Sequence, residues 1–137
     1  RPYTLQMAFS GTSGLRRTVP VPALLISKAW CIHHSRDERA AIKSVSGIPG
    51  GAHQAYRSFW AVSHVCGWLV ARYRTKREAI RMARLLASVW DEPLADARTV
   101  MAALDAPTRA QLVACLASYP RLPWLWDDEW RLQNVKP

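Results

Sequence analysis

Two apolar runs, at residues 59–65 and 68–74, stand out against the polar and basic residues that flank them. Both are rich in aromatic and β-branched side chains, which favour strands. Cys66 and Gly67 lie between the runs and match the length of a two-residue hairpin turn, and a glycine readily adopts the positive φ that such a turn requires. The pattern predicts an antiparallel hairpin over residues 57–74.

After the hairpin, the spacing of the apolar positions becomes helical. Thr75 and Glu78 have the Thr-x-x-Glu spacing of a capping box, which marks a helix N-terminus. One face of the next segment is apolar and carries Ile80, Ala83, Leu86, Ala87 and Trp90. The opposite face is basic and carries Lys76, Arg77, Arg81 and Arg84. These positions predict a helix over residues 76–90 that packs on the hairpin through its apolar face.

The N-terminal segment has the alternation of a strand. Apolar residues at odd positions predict a strand over residues 3–9, and we expect this strand to join the sheet of the hairpin. Pro20 and Pro22 cannot donate to a sheet ladder, so we expect residues 19–22 to form an extended edge segment.

The next stretch, residues 23–32, is mostly apolar and fits either a buried strand or the start of a helix. A second capping-box pattern follows at Ser35 and Glu38. It predicts a short helix that runs through about Ser44.

Two further helices are expected in residues 91–119. Residues 91–93, Asp-Glu-Pro, have the composition of a helix N-terminus. The apolar stripe of the first helix is Leu94, Ala97, Val100, Met101 and Leu104. Residues 105–108 break the pattern and restart it, and the second stripe is Leu112, Val113, Leu116 and Tyr119. The pair is expected to form a helical hairpin with a packing role.

These elements predict a single α+β domain over residues 1–137, because the length and the 50% hydrophobic content suit one core. Its small antiparallel sheet would contain hairpin 57–74 and strand 3–9. Helix 76–90 would cover the sheet, and the C-terminal helical hairpin would follow it.

The net charge of +9 is unevenly distributed. Residues 1–90 contain 14 Lys and Arg against 3 Asp and Glu, a balance of +11, whereas residues 91–137 contain 5 against 7, a balance of −2. A basic region concentrated in this way favours anionic partners. No apolar run is long enough to span a membrane, and an odd number of widely spaced cysteines favours a reducing compartment, so we expect a cytoplasmic protein without a membrane partner.

The basic region predicts a surface for nucleic acid or for another acidic partner, such as a ribonucleoprotein complex. Guanidinium groups bind phosphates in a bidentate manner, and aromatic rings stack on bases. The candidate cations are Arg57, Arg72, Arg74, Lys76, Arg77, Arg81 and Arg84. The candidate stacking residues are Trp60, Trp68 and Tyr73. The hairpin-then-helix order of residues 57–90 resembles that of sheet-plus-helix DNA readers such as the AP2 and integrase arm-binding types, and this resemblance implies DNA binding.

A protein-interaction role is the main alternative. Residues 120–137 carry Trp124, Trp126 and Trp130 beside three consecutive acids, and tryptophan and arginine dominate interface hot spots. This Trp-rich segment either closes the core or docks on a partner. In the second case the protein would be an inhibitor or adaptor, such as a phage or plasmid factor from a mobile genetic element that acts on a host defence or transcription complex. The sequence leaves the oligomeric state open.

Catalytic and metal sites are poorly supported by the sequence. Cys31, His33, His34, His64 and Cys66 are the ligand types that zinc prefers, but their spacing does not suit a structural zinc site. His64 and Cys66 form a local thiol–imidazole pair without a recognisable carboxylate partner. We therefore expect a binding protein without a metal, a cofactor or an enzymatic activity.

Overall fold

The computed structural model of the protein describes residues 1–10, 16–46 and 58–118. The strands in this part of the chain are β1 (Pro2–Ser10), β2 (Arg16–Leu25), β3 (Trp30–His34), β4 (Trp60–His64) and β5 (Leu69–Tyr73). The helices are α1 (Ser35–Ser46), α2 (Lys76–Val89), α3 (Ala97–Ala103) and α4 (Ala106–Ala117). None of these helices has the length and apolar character needed to cross a membrane. The predicted α+β class is confirmed.

The five strands form one antiparallel sheet in the order β1-β2-β3-β4-β5. The sheet therefore contains both the predicted strand 3–9 and the predicted hairpin 57–74. The two are not neighbours, however, because β1 pairs with β2 over its whole length and lies at the far edge from β5. The open choice for residues 23–32 resolves into the end of β2, a tight turn and β3.

The prolines of β2 occupy positions where no ladder bond is needed. Leu25 N–H donates to the Arg1 carbonyl over 2.7 Å, so Leu25 and Arg1 form a hydrogen-bonded pair. Hydrogen-bonded pairs alternate along an antiparallel ladder, which turns the backbone of Pro20 and Pro22 away from β1. On that side β3 reaches only Leu24 and Leu25. The predicted edge character of residues 19–22 thus holds for one side of β2, while the other side is fully paired.

The β4–β5 hairpin closes through a four-residue loop rather than the predicted two-residue turn. His64 N–H donates to the Trp68 carbonyl over 2.8 Å, and Gly67 N–H donates to the His64 carbonyl over 3.0 Å. Gly67 has a φ of 98°, which confirms its expected conformation. A bulge between Val62 and Ser63 shifts the register before the loop.

Helices cover both faces of the sheet, each over a different set of strands. On one face, α2 packs across β3, β4 and β5, burying Ala79, Met82, Ala83 and Leu86 against Trp30, Ile32, Val62, Ala71 and Tyr73. On the other face, Ala41 and Ile42 of α1 pack against a cluster formed by Leu5, Met7, Val19, Val21, Ala23 and Cys31. Consequently β3 is buried on both sides, whereas none of the described helices packs on the polar face of the β1–β2 ribbon.

The helix predicted from Ser35 is present, but its capping-box explanation is wrong. The Ser35 hydroxyl accepts a hydrogen bond from Phe59 N–H over 3.1 Å, and Glu38 lies beside His33 instead of returning to Ser35. The N-terminal amide of Arg36 is satisfied by the ring Nδ1 of His34 over 3.0 Å. A histidine therefore caps α1.

The predicted cap of α2 is confirmed. Thr75 Oγ1 accepts a hydrogen bond from Glu78 N–H over 3.2 Å, and the same hydroxyl donates to the Glu78 carboxylate over 2.8 Å. This bond holds the Glu78 carboxylate at the helix N-terminus, where the macrodipole favours a negative charge.

Residues 90–92 fasten the end of α2 to the turn between β2 and β3. The Asp91 carboxylate accepts from the Ser27 hydroxyl and from Ala29 N–H, both over 2.8 Å. The indole of Trp30 donates to the Trp90 carbonyl over 2.8 Å. The sequence context of Asp91 predicts the start of a helix, but Asp91 does not start one. It instead satisfies the amides of a turn more than sixty residues away.

The predicted helical pair starts later and is shorter than expected. Asp96 caps α3 by accepting from Arg98 N–H over 3.0 Å, and Asp105 caps α4 by accepting from Thr108 N–H over 2.8 Å. The hydrogen bonds from Thr108 hold the pKa of the Asp105 carboxyl below its usual value. Val100, Leu104, Leu112 and Leu116 extend the core that α2 forms with the sheet. The packing role expected for this pair is thus observed.

Replacing Asp91 with alanine should destabilise the fold strongly. Asp91→Ala would leave the buried N–H of Ala29 without an acceptor, and we expect the free energy of unfolding to fall by about 2–3 kcal/mol in urea denaturation. Asp96→Ala, which removes an exposed helix cap, is the matched control and should cost about 1 kcal/mol. Equal losses in the two variants would contradict the role assigned to Asp91.

Candidate functional site

A row of exposed cations runs along the outer side of α2. Because α2 buries Ala79, Met82, Ala83 and Leu86, the helical repeat turns the intervening arginines to solvent. The exposed cations are Arg74, Lys76, Arg77, Arg81 and Arg84, which we call the basic row. The structure thus brings together five of the seven cations that the sequence nominates.

Few of the described acidic side chains lie near the positive charges of the basic row. Glu78 is the only acid between residues 74 and 90, and the Thr75 hydroxyl holds its carboxylate at the helix start. Within the described residues, no carboxylate lies within ion-pairing distance of Arg74, Lys76 or Arg77. These cations also lie at the end of the helix where the macrodipole is positive, which is unfavourable for them.

An aromatic corner adjoins the start of the basic row. The Lys76 ammonium lies 5.6 Å from the centroid of the Trp60 ring, a cation–π distance. The Trp60 ring also meets His34 edge to face, with centroids 5.0 Å apart. Trp60 is half-buried, so one part of its ring packs on the core while the rest borders solvent. Trp60, His34 and Lys76 form what we call the Trp60 corner.

His34 is the member of the Trp60 corner that sequence reasoning missed, and the exposed Arg36 lies close to it. The register places His34 opposite Trp60, and Trp60 opposite Tyr73, so the three share one end of the sheet. Partial burial lowers the pKa of His34, and the positive charge of Arg36 lowers it further. The only signal in the sequence is the position of His34 directly before a helix, which does not reveal its partner strand.

Arg72 does not belong to the basic row. It is 2% exposed and lies on the sheet face opposite α2, with its guanidinium carbon 5.1 Å from the centroid of the Phe59 ring. Alternation along β5 explains the difference, because Ala71 and Tyr73 point to α2 and Arg72 therefore points the other way. A role for Arg72 at an exposed binding surface does not fit this placement.

The other nominated aromatic residues have different environments. Tyr73 is 1% exposed and belongs to the core, which does not suit a stacking platform. Trp68 is half-buried and packs against the same core from the hairpin loop. Trp60 contacts the basic row directly, through the ammonium of Lys76. Arg57, Trp124, Trp126 and Trp130 lie outside the described residues.

His64 is fully buried between two tryptophans. Its ring is 5.3 Å from that of Trp90 in a stacked arrangement and 5.3 Å from that of Trp30 in an edge arrangement. Nε2–H donates to the Glu92 carbonyl over 2.9 Å, while Nδ1 accepts from Cys66 N–H over 3.0 Å. The neutral tautomer therefore satisfies both nitrogens, and burial lowers the pKa of the ring.

The cysteines and histidines do not converge on one metal site. Cys31 and His33 point to the α1 side of the sheet, whereas His34 and His64 point to the α2 side. In the described part of the chain, no group of three or more His, Cys, Asp or Glu residues is close enough to hold an ion. Burial raises the pKa of the Cys31 thiol to about 12 and also raises that of Cys66, so both thiols are protonated at neutral pH.

Substitution of neighbouring arginines should separate structural from surface roles. Arg72→Ala removes a buried side chain, and we expect a loss of about 2–4 kcal/mol in the free energy of unfolding. Arg74→Ala, two residues later and exposed, should change it by less than about 0.5 kcal/mol. Urea titrations of both variants give the comparison, and a stable Arg72→Ala protein would argue against the buried placement.

The His64 environment predicts a loss of stability in mild acid. Because the pKa of His64 is lower in the folded than in the unfolded chain, only the unfolded chain takes up this proton as the pH falls below the ordinary value of 6.5. Stability should then decrease by up to about 1.4 kcal/mol per pH unit until the folded pKa is reached. His64→Gln cannot titrate, so the stability difference between the native chain and this variant should shrink between pH 7 and pH 5. A constant difference would refute the assignment.

Comparisons with known proteins do not assign a function to this fold. The chain matches no protein-family model, no curated protein and no solved structure. Its function is therefore inferred from the placement of the cations and rings described above.

Proposed function

We propose that the protein binds nucleic acid through the basic row and the Trp60 corner. The observation that carries this proposal is the exposure of four cations on α2 and of Arg74, two residues before it, with one engaged carboxylate among them. A surface of this kind attracts a polyanion and releases the counterions that the polyanion holds. The protein would act by binding, without a chemical reaction of its own.

The spacing of the arginines supports phosphate contacts. Arg77, Arg81 and Arg84 follow one face of α2, so their guanidinium groups can reach successive phosphates of one strand or one groove edge. Phosphates placed near Lys76 and Arg77 would also offset the unfavourable field at the start of the helix. The buried face of α2 fixes the direction of the row, because four of its side chains interlock with the sheet.

The Trp60 corner supports contact with bases. Indole rings stack on any base, and such stacking contributes about 1–3 kcal/mol per base. In the free protein Lys76 lies against the indole. On binding, a base can take that place while the ammonium moves to a neighbouring phosphate. An unpaired base reaches such a corner more easily than a base inside a duplex, so the corner favours single strands or ends.

Anisotropy titrations at two salt concentrations test the proposal, using labelled duplex DNA, single-stranded DNA and RNA. The triple variant Arg77→Ala, Arg81→Ala, Arg84→Ala should weaken binding by about 10- to 100-fold and reduce the slope of log affinity against log salt by about two to three. The helix itself should persist, because alanine is a good helix former.

A charge-matched control separates position from net charge. Lys28→Ala, Lys43→Ala, Arg98→Ala also removes three exposed cations, but none of them lies in the basic row. This control should keep its affinity within about threefold of the native chain. Equal losses of affinity in the two triple variants would show that binding depends on net charge and not on the basic row, which would contradict the proposal. Failure of all three nucleic acids to bind at low salt would also refute it.

A further inference from the structure

We infer that β1 is a dimerisation edge, at which a second copy of this chain adds its own β1 and the two five-stranded sheets join into one. This inference concerns the edge of the sheet farthest from β5 and is independent of the basic row. It rests on the hydrogen-bonding direction of β1, on its composition and on its self-complementary pattern.

The hydrogen-bonding direction of β1 follows from its register with β2. Arg1 and Leu25 exchange hydrogen bonds, with Leu25 N–H donating over 2.7 Å and the Arg1 terminal amine donating over 3.3 Å. Alternation along the ladder then directs the amides and carbonyls of Thr4, Gln6 and Ala8 away from β2. No strand in the described part of the chain pairs with that side. The side chains of Thr4 and Gln6 are exposed, so solvent reaches this edge.

The composition of β1 offers little protection against pairing. Natural edge strands are usually shortened, bulged or charged to prevent association. β1 has nine residues, its register with β2 is continuous, and residues 2–10 contain no charged side chain. Only Pro2, at its first position, interrupts the row of donors. In a chain with a net charge of +9, an uncharged strand of this length is a place where two copies can approach without facing like charges.

The strand is also complementary to itself when it is paired antiparallel about Gln6. In this register Gln6 of each copy forms a hydrogen-bonded pair with its equivalent, and Thr4 pairs with Ala8 of the second copy. Leu5 then stands opposite Met7 of the second copy on the α1 side, where both residues are already buried in the monomer. Leu5 thus meets Met7 and Gln6 meets Gln6, which is the self-matching that a two-fold interface requires. This match favours a second copy over an unrelated extended peptide.

Proline substitutions test the interface without disturbing the monomer. Gln6→Pro removes an N–H that points away from β2, so it should leave the β1–β2 ladder intact while removing a central donor from each copy. We expect the native chain to have twice its mass of 15.5 kDa in light scattering at high concentration. Gln6→Pro should remain monomeric or raise the dimer dissociation constant by at least about thirtyfold.

The matched control is Thr18→Pro. The side chain of Thr18 is exposed, as that of Gln6 is, and the N–H of Thr18 also points away from the β1–β2 ladder. Thr18 lies on β2, however, and not on the edge strand β1. This variant should dimerise like the native chain, and circular dichroism should show native folding for both variants. A native chain that is monomeric at all concentrations would overturn the inference, as would a dimer that Gln6→Pro leaves unchanged.

Discussion

The docking of residues 90–92 onto the turn before β3 is the interaction on which the arrangement of the helices depends. Asp91 supplies the acceptors that the turn lacks, Trp90 accepts from the Trp30 indole, and Glu92 accepts from His64. Each partner lies at the same end of the sheet, so the chain leaving α2 is held at several points. This attachment sets the direction of α2 and delivers the chain to the start of α3. Buried polar groups require such partners, which makes the docked position far more favourable than any undocked one.

The orientation of the basic row depends on this attachment. One face of α2 is fixed by Ala79, Met82 and Leu86 in the core, and its far end is fixed through Trp90. The arginines on the opposite face are therefore carried by a rigid element, while each keeps a long and adaptable side chain. A rigid backbone with mobile cations suits a partner with regularly repeated charge. Under the proposed function, the Trp60 corner would add an element that recognises flat rings rather than charge alone.

Local patterns predicted the β4–β5 hairpin, the conformation of Gly67 and the start of α2, because each depends on residues close together in sequence. Long-range partners were beyond such patterns. Nothing near Asp91 indicates that its carboxylate serves Ala29 rather than a helix of its own. Arg72 and Tyr73 were both nominated for an exposed surface, and strand patterns could not show that both side chains are buried. The four members of the basic row on α2 were predictable from helical spacing, whereas the placement of His34 depended on the register of two strands.

The order of the strands has a consequence for how the protein folds. Each described strand pairs with the strand next to it in the sequence, so the sheet can form by successive short-range pairings. The longest connection between two described strands is the one from β3 to β4, which contains α1. Low sequence separation between partners favours rapid folding. The contacts of Asp91 join residues that are 62–64 positions apart, and they can form only when the turn before β3 and the end of α2 both exist. The Asp91 contacts that fix the helices are thus expected to form late, on a sheet that has already formed.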